Sequence, residues 1–177
     1  NVVHVDGSVN PVRDKEIIDI ELQIKDLESV DKKIQRLSKM AKVGDKDAKK
    51  GIETLHIYKQ HLEQGKSARS LVISDDDKKV IDDIHLITVK PILYLCNVDE
   101  KSVKTGNKYV DAVKEAVKAE NAEVLFLAAA LEAEISQLEN YEDKKMFLLD
   151  AGLEEAGVNK LIKSAYKLLN LYTYFTA

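Results

Sequence analysis

The sequence predicts an α/β fold in which a small parallel sheet carries an inserted antiparallel helical hairpin. Two short apolar runs, residues 91–96 and 124–127, have the length of buried strands, and an amphipathic helical segment lies between them. Strand, helix and strand in that order are typical of a parallel βαβ unit. A separate stretch, residues 13–65, has a long helical periodicity that Gly44-Asp45 interrupts.

The hairpin segment begins at Asn10-Pro11, where asparagine can cap a helix and proline suits its first position. Apolar residues then recur at spacings of three and four, which predicts a narrow seam that packs against one other helix. The seam consists of Ile17, Ile20, Ile24, Leu27, Val30, Ile34, Leu37 and Ala41. The second helix is expected to end at Gly65, so the two helices should pair antiparallel.

The segments around the hairpin receive simpler predictions. Val2, Val3 and Val5 are interpreted as the end of a strand, and residues 67–74 as a linker. A helix should start at Ser74, because three aspartates follow it and acids favour the positive end of a helix dipole. Further helices are predicted at residues 107–119, 131–138, 144–149 and 158–169.

Composition is that of a globular protein and excludes several other classes. The chain has 177 residues, of which 45% are hydrophobic and 33% charged, enough for about one domain. No run of eighteen apolar residues is present, so no membrane partner is expected. The single cysteine, Cys96, excludes an internal disulfide and indicates a reducing, cytoplasmic location. Because the chain lacks an initiator Met and a signal peptide, we expect it to begin inside a larger protein.

Positive charge is concentrated at the far end of the predicted hairpin. Residues 31–50 contain eight basic and three acidic side chains, a net +5 in a chain whose total is −4. Such a cluster favours a polyanion such as RNA, and a solvated helical face is the equal alternative. No aromatic residue interleaves the cluster, so phosphate contacts without DNA sequence specificity are expected. The candidate contacts are Lys32, Lys33, Arg36, Lys46, Lys49 and Lys50.

Each predicted strand is followed by a short turn with a distinctive composition. The first turn, residues 97–100, reads Asn97-Val98-Asp99-Glu100, and the second turn, residues 128–130, consists of three alanines. Because ligands in open α/β sheets bind beyond the carboxyl ends of the strands, these turns are the candidate binding site. The alternative for Asn97 and Glu100 is a turn that only caps the following helix.

The two turns resemble the base-recognition motifs of P-loop GTPases. The first turn is similar to Asn-Lys-x-Asp, with Val98 in the lysine place and Glu100 in the aspartate place. The second turn is similar to Ser-Ala-Lys, although Ala128 and Ala130 depart from the family's usual residues. This variant resembles the Obg-like ATPase (YchF) family, and residues 4–14, 86–91 and 172–176 are similar to further segments of that family.

The resemblance implies part of a P-loop NTPase with a Ras-like G-domain sheet and an inserted coiled-coil hairpin. Residues 1–12 and 66–177 would form the C-terminal half of an OBG-type G domain, and residues 13–65 the hairpin. The family is cytoplasmic and ribosome-associated, hydrolyses ATP or GTP with Mg²⁺ and prefers ATP. A ribosome- or RNA-binding helical module without nucleotide binding, and a purely structural coiled-coil scaffold, are the alternative functions.

The resemblance also assigns roles to single residues. Asn97 would support the first turn, Val98 would contribute its backbone N–H, and Glu100 would face the edge of the base. The second turn, Ala128, Ala129 and Ala130, would cover the base through backbone and packing.

No catalytic residue is predicted. A Gly-x-x-x-x-Gly-Lys-[Ser/Thr] loop is absent, since Gln60 stands where Gly65-Lys66-Ser67 would need a glycine. We therefore expect the phosphate and Mg²⁺ groups before Asn1, and no nucleotide tightly bound by this stretch alone. The four histidines predict no metal site, and Glu132 and Glu134 are interpreted as helix-start or solvated charges.

Overall fold

The computed structural model describes residues 8–120 and 122–176, so the strand end predicted at Val2, Val3 and Val5 lies outside the described residues. The chain forms two compact units. Unit 2 is Arg13–Pro91, and unit 1 is Ile92–Ala177 together with the N-terminal residues. None of the helices in the described part of the chain has the length and apolar character needed to cross a bilayer.

Two antiparallel helices dominate unit 2, which confirms the predicted hairpin. Helix α1, Pro11–Lys42, begins at the predicted proline, and α2, Lys46–Glu63, follows a tight turn. Asp45 caps α2, because its Oδ1 accepts a hydrogen bond from the Ala48 amide at 3.0 Å. Gly44 has a φ of +97° in the connecting turn, a left-handed conformation in which other residues are strained.

Only the C-terminal half of the predicted seam is buried. Val30 is fully buried, and Leu27, Ile34 and Leu37 pack around the same core as Leu55, Tyr58 and Leu62. In contrast, Ile17, Ile20 and Ile24 are 44%, 54% and 50% exposed. Helix α2 ends at Glu63, and the Gln23 side-chain amide donates to the Gly65 carbonyl at 3.1 Å. The predicted seam was therefore wrong before Leu27, because the N-terminal part of α1 extends beyond the end of α2.

The segment after the hairpin is part of unit 2 and not a linker. It contains a 3₁₀ turn at Ala68–Ser70, the short helix α3 at Asp75–Lys78 and a 3₁₀ helix at Lys79–Ile84. Ser74 caps α3 as predicted, because its hydroxyl accepts from the Asp77 amide at 3.1 Å. Ala68, Ile81 and Leu86 are buried in the hairpin's core.

A buried carboxylate attaches the end of this segment to α1. Asp26 is 1% exposed, and it accepts hydrogen bonds from the Ile87 amide at 2.7 Å, the Thr88 amide at 2.7 Å and the Thr88 hydroxyl at 2.6 Å. The Thr88 hydroxyl in turn accepts from the Ala68 amide at 2.9 Å. These contacts explain why unit 2 ends at Pro91, whereas the sequence placed the end of the hairpin domain at residue 65.

A second polar contact holds the 3₁₀ helix against α1. Asp83 accepts hydrogen bonds from the Lys33 ammonium and from the Arg36 guanidinium, the latter at 2.6 Å. These bonds from Lys33 and Arg36 lower the pKa of Asp83 from 3.8 to about 2. Lys33 also donates to the Val80 carbonyl and is only 9% exposed. The cluster therefore ties residues 80–83 to the middle of the hairpin.

The depressed pKa of Asp83 predicts an acid-labile contribution to stability. The ion pairs stabilise the fold above the unfolded-state pKa, about 3.9, and this contribution is lost as the pH falls toward the folded pKa of about 2. Asp83→Asn should therefore be less stable than the wild type near neutral pH. Urea unfolding between pH 6 and 2 should show the gap closing below about pH 4. A gap that stays constant over this range would contradict the assignment.

The sheet of unit 1 contains two parallel strands among the described residues, β1 at Leu93–Asn97 and β2 at Glu123–Leu127. Helix α4, Lys108–Ala116, connects them, and Asn107 caps it by accepting from the Tyr109 and Val110 amides. Helices α5, Ala129–Gln137, α6, Tyr141–Asp150, and α7, Gly157–Leu168, follow. This arrangement confirms the predicted βαβ order.

Strand β1 is less buried than the sequence predicted. Leu95 is 45% exposed, and Asn97, which lies on the same face by strand alternation, is also exposed. Cys96 points to the opposite face and is half-buried, and this burial raises the pKa of its thiol. The described residues therefore cover one face of β1 and leave the other open.

Candidate nucleotide-base site

The first and second turns leave the sheet side by side. In the parallel register Asn97 pairs with Leu127, so both strands end at the same edge. The Val98 amide donates a hydrogen bond to the Leu127 carbonyl at 2.9 Å, which extends the ladder into the first turn. Strand pairing therefore uses the N–H that the resemblance assigns as the contribution of Val98 to the nucleotide site.

A side-chain hydrogen bond joins the two turns directly. Asn97 Oδ1 accepts from the Ala129 amide at 3.0 Å, across 32 residues of sequence. The acceptor also satisfies one of the free amides at the start of α5, where the capping position is held by Ala128 and offers no side-chain oxygen. Asn97 therefore has a supporting role between the turns.

The acidic residues of the first turn have different environments. Asp99 caps the 3₁₀ helix Glu100–Ser102 by accepting from the Ser102 amide at 2.9 Å. Hydrogen bonding from Ser102 holds the pKa of Asp99 below its ordinary value. Glu100 is exposed, and its side chain makes no hydrogen bond or ion pair with the described residues. The capping alternative thus applies to Asp99, and the Glu100 carboxylate is available to a ligand.

The three alanines of the second turn also differ in exposure. Ala128 is 1% exposed and belongs to the apolar core formed with Leu131, Ile135 and Ala156. Ala129 and Ala130 are exposed at the start of α5. Ala128 therefore anchors the second turn in the core, while Ala129 and Ala130 form the exposed surface of the turn.

The predicted RNA contacts do not form one uniform surface. The buried Lys33 is held by Val80 and Asp83 and is not available to a partner, which corrects its assignment. Arg36 is exposed, but it too is paired with Asp83. The exposed lysines of the region are Lys32, Lys39, Lys42, Lys46, Lys49 and Lys50.

One feature of the site region was not evident from the sequence pattern. Glu132, interpreted as a helix-start or solvated charge, bonds to the first amides of α7. The sequence offered one signal for this contact: Ala156, which precedes α7, has no side chain that can cap the helix, so another residue must do so. No cluster of three or more His, Cys, Asp or Glu side chains suited to a metal ion occurs in the described ranges.

Comparison with known proteins gives close relatives along the whole chain, although no family model matches it. The "Ribosome-binding ATPase YchF" of Bacillus subtilis (strain 168) is 45% identical over 179 residues, covering all of this chain and 49% of its own length. The protein of that name from Escherichia coli O157:H7 is 41% identical over 177 residues, 48% of its length.

A solved structure supports the same assignment. The Schizosaccharomyces pombe YchF GTPase matches with a TM-score of 0.87 and 28% identity, covering all of this chain and 49% of that one. The chain thus spans about half the length of the curated relatives it matches. With its P-loop GTPase-like turns, parallel strands and inserted hairpin, the chain belongs to the Obg-like ATPase (YchF) family.

Proposed function

We propose that this chain supplies the base-recognition half of the nucleotide site of a cytoplasmic, ATP-preferring P-loop NTPase. The observation that carries the proposal is the hydrogen bond from the Ala129 amide to Asn97 Oδ1. It joins the two turns that the family resemblance assigns to the base. The names of the relatives, ribosome-binding ATPase and GTPase, support nucleotide binding by the whole protein.

The chemistry of the first turn favours adenine over guanine. In Ras-like GTPases an aspartate accepts two hydrogen bonds from the guanine edge, and Glu100 is one methylene longer, so its carboxylate lies elsewhere. Adenine offers only its exocyclic amine as a donor at this edge. Because a mismatched polar group in a binding site is penalised heavily, we propose that Glu100 accepts from that amine.

The remaining parts of the site fit this arrangement. Ala129 and Ala130 present small, exposed side chains against which a flat ring can pack. Asn97 and the pairing of Val98 with Leu127 keep the first turn in register with the second. The nucleotide of the whole protein is proposed to be Mg²⁺-ATP, and no residue of this chain is proposed to be catalytic.

Replacement of Glu100 tests the proposal in the full-length protein. Glu100→Ala should weaken ATP binding about tenfold, as the loss of a hydrogen bond to a charged acceptor would. Isothermal titration calorimetry measures the change. Lys101→Ala, which alters the adjacent exposed residue, is the matched control. Unchanged ATP affinity in Glu100→Ala would overturn the role of the carboxylate.

A second function, contact with ribosomal RNA, is favoured by the exposed lysines of the hairpin. Lys32, Lys39, Lys42, Lys46 and Lys49 have no ion-pair partner among the residues that the structure describes. Lysines that have no ion-pair partner can neutralise phosphates without first breaking an existing ion pair. The relatives' name, ribosome-binding ATPase, is consistent with this proposal.

Charge reversal tests the hairpin surface. Changing Lys42, Lys46 and Lys49 to Glu in the full-length protein should weaken ribosome co-sedimentation at low salt by at least about tenfold. Reversal of Lys145, Lys160 and Lys167, three exposed lysines of unit 1, is the control for net charge. If both triple variants lose ribosome binding equally, the effect is due to overall charge, and the proposal of a specific hairpin surface is contradicted.

A further inference from the structure

The carboxylate of Glu132 bridges two helices immediately behind the second turn. One oxygen accepts from the Gly157 amide at 2.6 Å, and the other accepts from the Val158 amide at 3.1 Å. These are the first two amides of α7, which has no capping side chain of its own because Ala156 precedes it. Glu132 therefore supplies the cap from α5, and its negative charge also suits the positive end of the α7 dipole.

The same residue is connected to the second turn through the backbone. The Glu132 amide donates to the Ala128 carbonyl at 3.0 Å, which closes the first turn of α5. A displacement of Glu132 would therefore displace the residues between them, Ala129, Ala130 and Leu131. Glu132 thus connects the second turn to the N-terminus of α7.

Glycine is required at the point where α7 meets β2. A Cβ on Gly157 would lie 2.8 Å from Leu127 Cβ and 2.8 Å from Glu132 Oε1, distances that real Cβ atoms do not adopt. Leu127 is also the residue whose carbonyl accepts from the Val98 amide. At the end of β2, the Leu127 carbonyl therefore contacts the first turn, and the Leu127 side chain lies beside Gly157 at the N-terminus of α7.

We propose that Glu132 is a positioning residue for base recognition, which holds the second turn by tying α5 to the N-terminus of α7. The inference rests on the proposed function, because the second turn matters to ATP only if it covers the base. Glu132 itself does not touch the nucleotide in this account. It acts through Ala128 and Ala129, and through the hydrogen bond from the Ala129 amide to Asn97.

Substitution of Glu132 in the full-length protein separates positioning from general stability. Glu132→Ala should raise the KM for ATP about tenfold and leave kcat within about twofold, because a displaced turn weakens ground-state and transition-state binding alike. Hydrogen exchange of the Gly157 and Val158 amides should become faster at the same time. Glu132→Gln keeps one acceptor oxygen, so its KM should rise by only about threefold.

Glu134→Ala is the control, since Glu134 lies on the same helix, is exposed, and makes no hydrogen bond or ion pair with the described residues of α7. It should change neither KM nor exchange at residues 157–158. Faster exchange at these amides with an unchanged KM in Glu132→Ala would overturn the inference. If Glu132→Ala does not fold, the same comparison of exchange and KM in Glu132→Gln decides the question.

The outcome is distinguishable from failure of the proposed function. If Glu100→Ala weakens ATP binding and the Glu132 variants do not, the positioning role fails and the base site remains. If Glu100→Ala has no effect, the base site itself fails, and the role of Glu132 in recognition fails with it.

Discussion

Replacing Asp26 by alanine is expected to lower the free energy of unfolding of unit 2 by at least about 3 kcal/mol, since each buried donor left without an acceptor costs about 1–3 kcal/mol. The substitution leaves three donors of Ile87 and Thr88 without an acceptor in a site where Asp26 is 1% exposed. The Thr88 hydroxyl also loses the alignment in which it accepts from Ala68. Urea unfolding of the chain, followed by circular dichroism, measures the change.

Asp31→Ala is the matched control for this experiment. It changes the same residue type on the same helix, so the gain in helix propensity is equal in both variants. Asp31 is 43% exposed, and its ion-pair partner among the described residues is Lys59, so its loss should cost less than about 1 kcal/mol. Similar destabilisation in the two variants would contradict the role assigned to the buried carboxylate.

Replacing Asn97 by alanine is expected to weaken ATP binding by the full-length protein about tenfold, the effect of roughly 1.4 kcal/mol. The Ala129 amide loses its acceptor, and the second turn is no longer held against the first. The amide of Ala129 should also exchange faster with solvent. Titration calorimetry and hydrogen exchange of peptides covering residues 128–131 measure the two effects.

Asn97→Asp provides the comparison for Asn97→Ala, because it keeps an oxygen in the position that accepts from Ala129. Its ATP affinity should therefore fall less than that of the alanine variant. Fast exchange at Ala129 in Asn97→Ala together with wild-type ATP affinity would show that the contact between the turns does not matter for the base.

The parts of the fold that depend on local sequence were predicted well. Asn10-Pro11, Ser74 and Asn107 each stand at the start of a helix, because caps act on the amides of the next few residues. The contact of the two turns was also predictable, since the carboxyl ends of parallel strands meet at one edge.

Contacts between distant residues were not predictable from pattern. Asp26 bonds to Thr88 across 62 residues, and the sequence pattern gave no sign of its burial. Lys33 bonds to Asp83 across 50 residues, and it had been assigned to RNA contact at the surface. Ile17 and Ile20 are exposed because α2 ends before it reaches them. The periodicity of α1 alone does not show where α2 ends. The hydrogen bond of the Val98 amide was not predictable either, because strand pairing and ligand binding compete for this single donor.

The most direct test of the base site is photolabelling of the full-length protein with an ATP analogue that carries an azido group on its adenine ring. Cross-links are expected within residues 97–102 and 128–132, and ATP should compete for labelling better than GTP. Cross-links confined to residues 13–91, or equal competition by GTP and ATP, would contradict adenine recognition by the first and second turns.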